Sequence, residues 1–289
     1  MFRAVPKGIL STLAAALLVT AAAAYAQQKD FKPHVGQQGK DVVWVPTPDE
    51  VVERMLNMAQ TKPEDYVIDL GAGDGKIAIA AVKKFGARSL GIEYNPDMVA
   101  HAQRNAQAAG VLGKAQILQG DIFVTDFTQA TVLTLYLLPS LNMKLRPQIL
   151  ALRPGTRVVA HAFNMEDWEA DEASDVDGRR VYLWIVPANV SGRWAMELSG
   201  AGGSEKLSLN LDQKFQKIEG VAYLGSILAG LREPRLSGFR ISFAYVDNRG
   251  VRRDFNGRVS GSTMEGSFRT DGGAEGRWTA TKKQGETGR

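Results

Sequence analysis

Three glycines stand two residues apart directly after a short apolar run, and this pattern constrains the fold more than any other in the chain. The run covers residues 65–70, and the glycines are Gly71, Gly73 and Gly75. An apolar run bounded by glycine predicts a buried β-strand, and glycine lets the backbone turn sharply and approach a ligand closely. Apolar residues at helical spacing then continue to Phe85. The sequence therefore predicts a strand–turn–helix unit with a ligand at the turn.

Strands and helices alternate from this unit through the middle of the chain. Further strands are predicted at residues 89–94, 115–121, 131–138, 156–163 and 180–186, with helices ending near residues 58, 86, 109 and 152. Such alternation predicts a mostly parallel sheet with helices on both faces. The predicted fold class is therefore α/β with a Rossmann-like sheet.

Two helix starts carry residue types that favour capping. Thr47, followed by Pro48 and by Glu50 three residues after the threonine, has the pattern of a capping box. Asn95 directly precedes Pro96, a pairing of a cap with a first-turn proline. We expect both side chains to accept hydrogen bonds from the first turn of their helices.

The spacing around the glycines indicates which cofactor fits. A dinucleotide prefers the longer G-x-G-x-x-G turn, whereas Gly71, Gly73 and Gly75 form G-x-G-x-G. Glu93 follows Gly73 by 20 residues at the end of the second strand, where a carboxylate accepts both hydroxyls of a ribose. Asp121 ends the third strand and is placed to accept from the amine of adenine. The pattern favours a nucleoside-containing cofactor over a nicotinamide dinucleotide.

These motifs carry a resemblance to a known family. Residues 67–75, Glu93 and the pair at 120–121 resemble the first three cofactor motifs of class I S-adenosylmethionine-dependent methyltransferases. Residues 45–48 and 135–142 resemble bacterial relatives of the mitochondrial ATP-synthase c-subunit lysine methyltransferase family. The first resemblance covers residues 42–186 and implies a seven-stranded sheet and S-adenosylmethionine as cofactor.

The resemblance also implies roles for particular residues. The residues implied for the methionine end of the cofactor are Asp69, Gly71, Gly73 and Gly75, those for its ribose and adenine are Glu93 and Asp121, and those lining the methyl-transfer face are Tyr136, Pro139 and Asn142. The implied reaction is direct in-line transfer to an acceptor, either a protein lysine amine or a small molecule. The alternative is a catalytically silent binding protein that senses a nucleoside-like ligand or acts through its C-terminal part.

Other site types have little support in the sequence. No metal site is predicted, because His34, His101 and His161 are far apart, and there is no cysteine. No residue stands out as a general base. Nucleic acid is not an expected partner, since no dense run of lysine and arginine is present. The acidic residues 169–175 predict a solvated loop, with attraction of a cationic substrate as the alternative.

The N-terminal residues predict export. Residues 1–26 begin with Arg3 and Lys7, continue through an apolar stretch and end in Ala24-Tyr25-Ala26, the three parts of a secretory signal peptide. Cleavage after Ala26 predicts a periplasmic or secreted protein. An uncleaved anchor, with membrane association through the N-terminus, is the alternative. Residues 27–40 are polar and predict a linker.

The composition changes after residue 187. Residues 188–289 are rich in glycine and alternate apolar with polar positions, which predicts an antiparallel β domain, either a barrel or a sandwich. Gly-Arg-Trp occurs at 192–194 and again at 276–278, so we expect the first and last strands to pair. The chain is thus divided into a methyltransferase domain at 41–187 and a β domain at 188–289. That β domain is either a lipocalin-like cup that binds or presents substrate, or a stabilising or interaction module.

Overall fold

The computed structural model describes residues 31–200 and 203–283. The predicted signal peptide, residues 1–26, lies outside the described residues, as do residues 27–30 of the predicted linker. Within the described ranges, every helix is too short or too polar to cross a lipid bilayer.

A seven-stranded sheet occupies the first part of the described chain. Its elements in chain order are α1 (Asp49–Met58), β1 (Tyr66–Leu70), α2 (Lys76–Phe85), β2 (Arg88–Glu93), α3 (Pro96–Ala108), β3 (Ala115–Gln119), β4 (Val132–Leu135), α4 (Pro139–Leu150), β5 (Arg157–His161), β6 (Glu172–Val176) and β7 (Arg179–Ile185). The strand order is β3-β2-β1-β4-β5-β7-β6, and among these strands only β7 runs antiparallel to the others. Chain order reverses between β1 and β4, where open α/β sheets bind ligands.

Apolar side chains explain why these segments form the sheet and its covering helices. Four of the five residues of β1 are buried, as are all four of β4. α1 buries the stripe that contains Val51, Met55 and Leu56. Asn95 caps α3 as predicted, since its Oδ1 accepts from the backbone N–H of Asp97 at 2.9 Å. The predicted α/β architecture is confirmed.

Two local predictions in this part were wrong. The predicted capping box does not form, because α1 begins at Asp49 with Pro48 as its cap residue, while the buried hydroxyl of Thr47 lies 3.4 Å from His161 Nδ1. The acidic residues after 171 form the edge strand β6 rather than a loop, and β6 pairs with β7 through a two-residue turn at Asp177-Gly178. Alternate side chains of an edge strand can face solvent, so acidic residues are compatible with it.

A nine-stranded antiparallel sheet forms the rest of the described chain. Its strands are β8 (Gly192–Gly200), β9 (Gly203–Lys214), β10 (Lys217–Leu224), β11 (Ile227–Gly230), β12 (Arg232–Ser237), β13 (Arg240–Val246), β14 (Arg252–Ser260), β15 (Thr263–Thr270) and β16 (Glu275–Lys282). β8 pairs with β16, so the predicted meeting of the first and last strands is confirmed. The sheet curls into a nearly closed barrel whose two edges, β11 and β12, are consecutive in the chain. Buried side chains including Trp194, Phe255 and Trp278 fill its interior.

The barrel packs against the loop that follows β5. Trp168, which is fully buried, stacks on Phe215 with ring centroids 5.8 Å apart and donates to Gln216 Oε1 at 3.0 Å. The backbone N–H of Ala188 donates to Gly238 O at 2.8 Å. These contacts join the barrel to the segments that follow β5 and β7.

Candidate functional site

A cavity of about 350 Å³ lies at the carboxyl edge of the parallel strands, beside the point where chain order reverses. Its volume falls within the range of small-molecule sites, ~300–1,000 Å³. Six of the residues predicted for the site line it, namely Asp69, Gly71, Gly73, Glu93, Asp121 and Tyr136. Residues far apart in sequence therefore meet because parallel strands end at the same edge.

The glycine turn forms the floor of the cavity. Gly73 has φ +55°, and a Cβ there would lie 2.6 Å from Nε1 of Trp44. Gly71 has φ +80°, and a Cβ there would lie 3.1 Å from a methyl group of Leu137. Gly75 begins α2 and packs against Ala102, so it shapes the turn without lining the cavity. The missing side chains let Trp44 and Leu137 pack closely against the turn, and the turn still lines the cavity.

Glu93 is held by backbone donors on both of its carboxylate oxygens. Its Oε2 accepts from Gly73 N–H at 2.9 Å, and its Oε1 accepts from Asn95 N–H at 2.9 Å. Each oxygen keeps a second lone pair for a ligand. The carboxylate is thus tied to the glycine turn and oriented toward the cavity that it lines.

Asp69 is the most deeply buried acidic residue of the site. Its side chain is 2 % exposed and accepts from Thr134 Oγ1 at 2.7 Å. Burial raises the pKa of Asp69 to about 7, and the negative charges of Asp74 and Glu93 act in the same direction. A buried carboxyl group with few donors is suited to a cationic ligand, whose charge stabilises the ionised form.

An N-terminal strap, residues 36–47, covers one side of the cavity. It turns back on itself through a hydrogen bond from Gly36 N–H to Trp44 O at 2.8 Å. Lys40 Nζ lies 2.6 Å from Asp121 Oδ2 and 4.5 Å from the ring centroid of Tyr94. The hydrogen bond from Lys40, and a second one from Phe123 N–H, hold the pKa of Asp121 below its usual value.

The strap was the part of the site that sequence reasoning missed. Residues 37–40 fall within the predicted linker, yet they line the cavity together with Trp44. No spacing or periodicity in this polar segment marks Lys40, because its partner Asp121 is remote in sequence. The tryptophan beside the Val-Pro-Thr-Pro segment was the available signal, since an isolated large aromatic residue usually packs on something.

Tyr136 follows β4 and stands between two other rings. Its centroid is 4.0 Å from that of His161 and 6.4 Å from that of Phe163. Burial lowers the pKa of His161 to about 4, with a smaller contribution from the charge of Arg179, so the imidazole is neutral at pH 7. Tyr136 and Phe163 therefore form an aromatic part of the cavity wall, with the neutral His161 packed on Tyr136.

Pro139 and Asn142 are not among the residues that line the cavity. Pro139 begins α4 on the surface, and Asn142 is buried with its Nδ2 3.4 Å from the carbonyl oxygens of Phe163 and Asn164. Their neighbours Leu138 and Leu141 face the cavity instead. A role of Pro139 or Asn142 at the methyl-transfer face stays a prediction.

Comparisons with known proteins agree with this geometry. The family model for the ANTKMT methyltransferase domain matches residues 69–172. A protein-lysine N-methyltransferase of Saccharolobus islandicus (strain REY15A) is 40% identical over 151 residues, which are 50% of this chain and 94% of the relative. The chain belongs to the protein-lysine methyltransferase family. The predicted resemblance is confirmed, and the family model leaves the nine-stranded barrel unmatched.

Two further proteins are similar to part of the chain. The ATP-synthase c-subunit lysine N-methyltransferase of Mus musculus is 31% identical over 132 residues, 45% of this chain and 53% of the relative. The chain thus spans about half the length of that relative. The chain is also similar to a solved structure of an RNA methyltransferase from Salinibacter ruber in complex with S-adenosyl-L-homocysteine, with 49% sequence identity and a TM-score of 0.50. The match covers 50% of this chain and 96% of the Salinibacter ruber chain.

The protein is an S-adenosylmethionine-dependent methyltransferase, and its cavity fits that cofactor. The glycine turn lines the cavity with its backbone, and the buried Asp69 suits a positive charge. Glu93 and Asp121 offer carboxylate oxygens to hydroxyl and amine groups. When bound, S-adenosylmethionine supplies a methyl group already activated by a sulfonium leaving group. The protein therefore needs to bind the cofactor, exclude water and orient the acceptor. It does not need to form a covalent intermediate.

Proposed function

We propose that this methyltransferase transfers a methyl group directly to a lysine amine of a protein. In the proposed reaction the neutral amine nitrogen takes the methyl group in line, the carbon–sulfur bond breaks, and the proton lost from the ammonium passes to solvent. S-adenosylhomocysteine is the second product.

The proposal is carried by the match to a lysine methyltransferase over nearly the whole of that relative, at 40% identity. The aromatic part of the cavity wall, Tyr136 and Phe163, with the neutral His161 packed on Tyr136, adds support. Aromatic side chains without charge disfavour an ammonium ion and so favour the nucleophilic free amine. A small-molecule amine remains the alternative acceptor.

The cofactor site is tested by titrating S-adenosylhomocysteine into the full chain by calorimetry. In Glu93→Ala we expect the binding free energy to weaken by about 1–3 kcal/mol. This is the contribution of a charge-assisted hydrogen bond together with the cost of leaving its donors unpaired. Glu219→Ala, on the exposed face of β10, is the matched control. Equal affinity of all three proteins would refute the site assignment.

The acceptor is tested with methyl-labelled S-adenosylmethionine and two pools, cellular protein and cellular RNA. Label in the protein pool that hydrolysis recovers as methyl-lysine supports the proposal. Label in RNA alone would contradict it and align the chain with the Salinibacter ruber relative. Protein label on residues other than lysine would also refute the lysine acceptor.

We also propose that the protein acts outside the cytoplasm, after cleavage at Ala26 or while anchored through residues 1–26. The proposal rests on the positive, apolar and A-x-A parts of that segment. Fractionation of cells producing the full chain tests it, with intact mass giving the N-terminal residue. A cytoplasmic protein that retains Met1 would contradict the proposal.

A further inference from the structure

A second cavity, of about 340 Å³, lies next to the cofactor cavity and shares part of its wall. Val45, Pro46 and Tyr136 line both cavities. The other residues of the second cavity are Pro48, His161, Ala162, Gly178, Arg179 and Arg180. Three residues therefore separate the cofactor cavity from a second opening.

A backbone kink after β5 places one ring on each side of this partition. Ala162 has φ +67°, in the left-handed region that a residue with a Cβ rarely adopts. Across the kink, His161 lines the second cavity and Phe163 lines the first, and both rings contact Tyr136. A strained residue at this position is held by the hydrogen bond from Ala162 N–H to Arg180 O at 2.8 Å.

The partition stands at the Asp69 end of the cofactor cavity. Asp69 in β1 pairs with Thr134 in β4, and Tyr136 follows β4 directly. Asp121 and Lys40 lie on the other side of β1, beyond β2. The second cavity thus adjoins the Asp69 end of the cofactor cavity. The resemblance to class I methyltransferases implies that the methionine end of the cofactor binds there.

The charge of the second cavity changes from its inner to its outer end. The inner end is uncharged, since His161 is neutral and no carboxylate lines this cavity in the described part of the chain. The outer end carries Arg179 and Arg180, which are exposed at the start of β7. Asp175 lies 3.8 Å from Arg180, whereas no acidic side chain of residues 31–200 or 203–283 is within salt-bridge distance of Arg179. The opening therefore has spare positive charge.

We propose that this second cavity is the acceptor passage and takes the side chain of a lysine flanked by carboxylates, which pair with Arg179 and Arg180. The inference rests on the proposed lysine methylation. An unflanked ammonium is repelled by the two arginines, whereas acidic neighbours of the lysine complement them. The methylene stem of the lysine then packs along Tyr136 and His161 while the amine reaches the partition. Arg179 and Arg180 act as specificity residues.

Binding is measured first, so that the result does not depend on catalysis. Two labelled peptides of equal length carry one central lysine, flanked by aspartates in one and by asparagines in the other. Anisotropy titration with the full chain, saturated with S-adenosylhomocysteine, should give about tenfold tighter binding of the aspartate peptide, as expected for two or three exposed charge pairs. Arg179→Gln combined with Arg180→Gln should remove this difference, and Arg232→Gln on the exposed part of β12 should preserve it.

Methylation of the same peptides separates the inference from the function on which it rests. Preferential methylation of the aspartate peptide, lost in the double variant mainly through KM, supports the passage. Equal use of both peptides, or a preference that survives in the double variant, overturns the passage and leaves lysine methylation standing. Failure to methylate lysine in any peptide or in the protein pool, despite normal S-adenosylhomocysteine binding, refutes the proposed function and with it the passage.

Discussion

Thr134 donates a 2.7 Å hydrogen bond to Oδ1 of Asp69 from the neighbouring parallel strand, and both side chains are buried. Burial raises the pKa of Asp69 to about 7, against an ordinary value of 3.8, and this one hydrogen bond only partly opposes the rise. The folded, ligand-free protein therefore holds a proton on Asp69 between about pH 4 and pH 7 that the unfolded chain releases.

The first prediction follows from that proton. Because the folded state binds more protons than the unfolded state in this window, Asp69 makes the free energy of unfolding fall as pH rises from 4 to 7 and level off above 7. Asp69→Asn lacks this contribution, so its stability relative to the natural protein should increase across the window. Urea denaturation of both proteins between pH 4.5 and 8, without cofactor, measures the difference, and parallel curves would contradict the raised pKa.

The second prediction concerns Lys40, which forms an ion pair with Asp121, the carboxylate expected to accept from the adenine amine. Lys40→Met frees Asp121 Oδ2, so we expect S-adenosylhomocysteine to bind about two- to fivefold more tightly, the range of an exposed ion pair. Calorimetry at two salt concentrations measures the effect, which should shrink at high salt in proportion to screening. Weaker binding in Lys40→Met would instead show that Lys40 contacts the cofactor.

The third prediction tests the contact of the strap with the glycine turn. Gly73→Ala introduces a Cβ 2.6 Å from Trp44 Nε1 at a φ of +55°, so it should lower both stability and cofactor affinity, by about 1–3 kcal/mol in stability. In a Trp44→Ala background only the backbone strain remains, about 1 kcal/mol. Gly113→Ala, where a Cβ meets no atom within 4 Å, is the control. Additive effects in the double variant would argue against the contact.

The central sheet was predictable because its signals are local. The apolar run before Gly71, the glycine spacing and the cap at Asn95 are each properties of neighbouring residues, and each was confirmed in the fold. The edge strand β6 was not predicted, because acidic residues are unusual in strands and its support comes from remote contacts, such as pairing with β7 and the hydrogen bond from Arg54 to Ser174.

Remote contacts explain what could not be predicted at the site. Thr47 had the sequence context of a helix cap, and its hydroxyl lies instead beside His161, which is 114 residues away. Lys40 and Asp121 meet although 81 residues separate them. A local pattern cannot indicate such pairs, because they exist only after the strand ends have been brought together by the sheet.

The fourth prediction concerns the barrel. The indole of Trp278 lies across β14 and β15, donating to Asn256 O and Ser267 O at 3.1 Å, and a Cβ on Gly257 would collide with its ring. Gly257→Ala should therefore destabilise the barrel by about 1–3 kcal/mol, as overpacking does. Gly230→Ala in β11 has no atom within 4 Å of the added Cβ and should change little. Urea denaturation followed by near-ultraviolet circular dichroism of the aromatic residues measures the loss, and equal stability of the two variants would contradict it.

The pairing of β8 with β16 has a consequence for the order in which the protein folds. β8 follows the parallel sheet directly, but one of its two neighbours is the last strand of the barrel, and that strand contributes eight residues to the middle of the wall. During synthesis one row of amide and carbonyl groups of β8 stays unpaired until β16 has been synthesised. Such long-range pairing is also slow, because it is costly in chain entropy. The parallel sheet can close before the barrel does, and a translating or translocating chain spends that interval with an exposed strand edge that a chaperone would recognise.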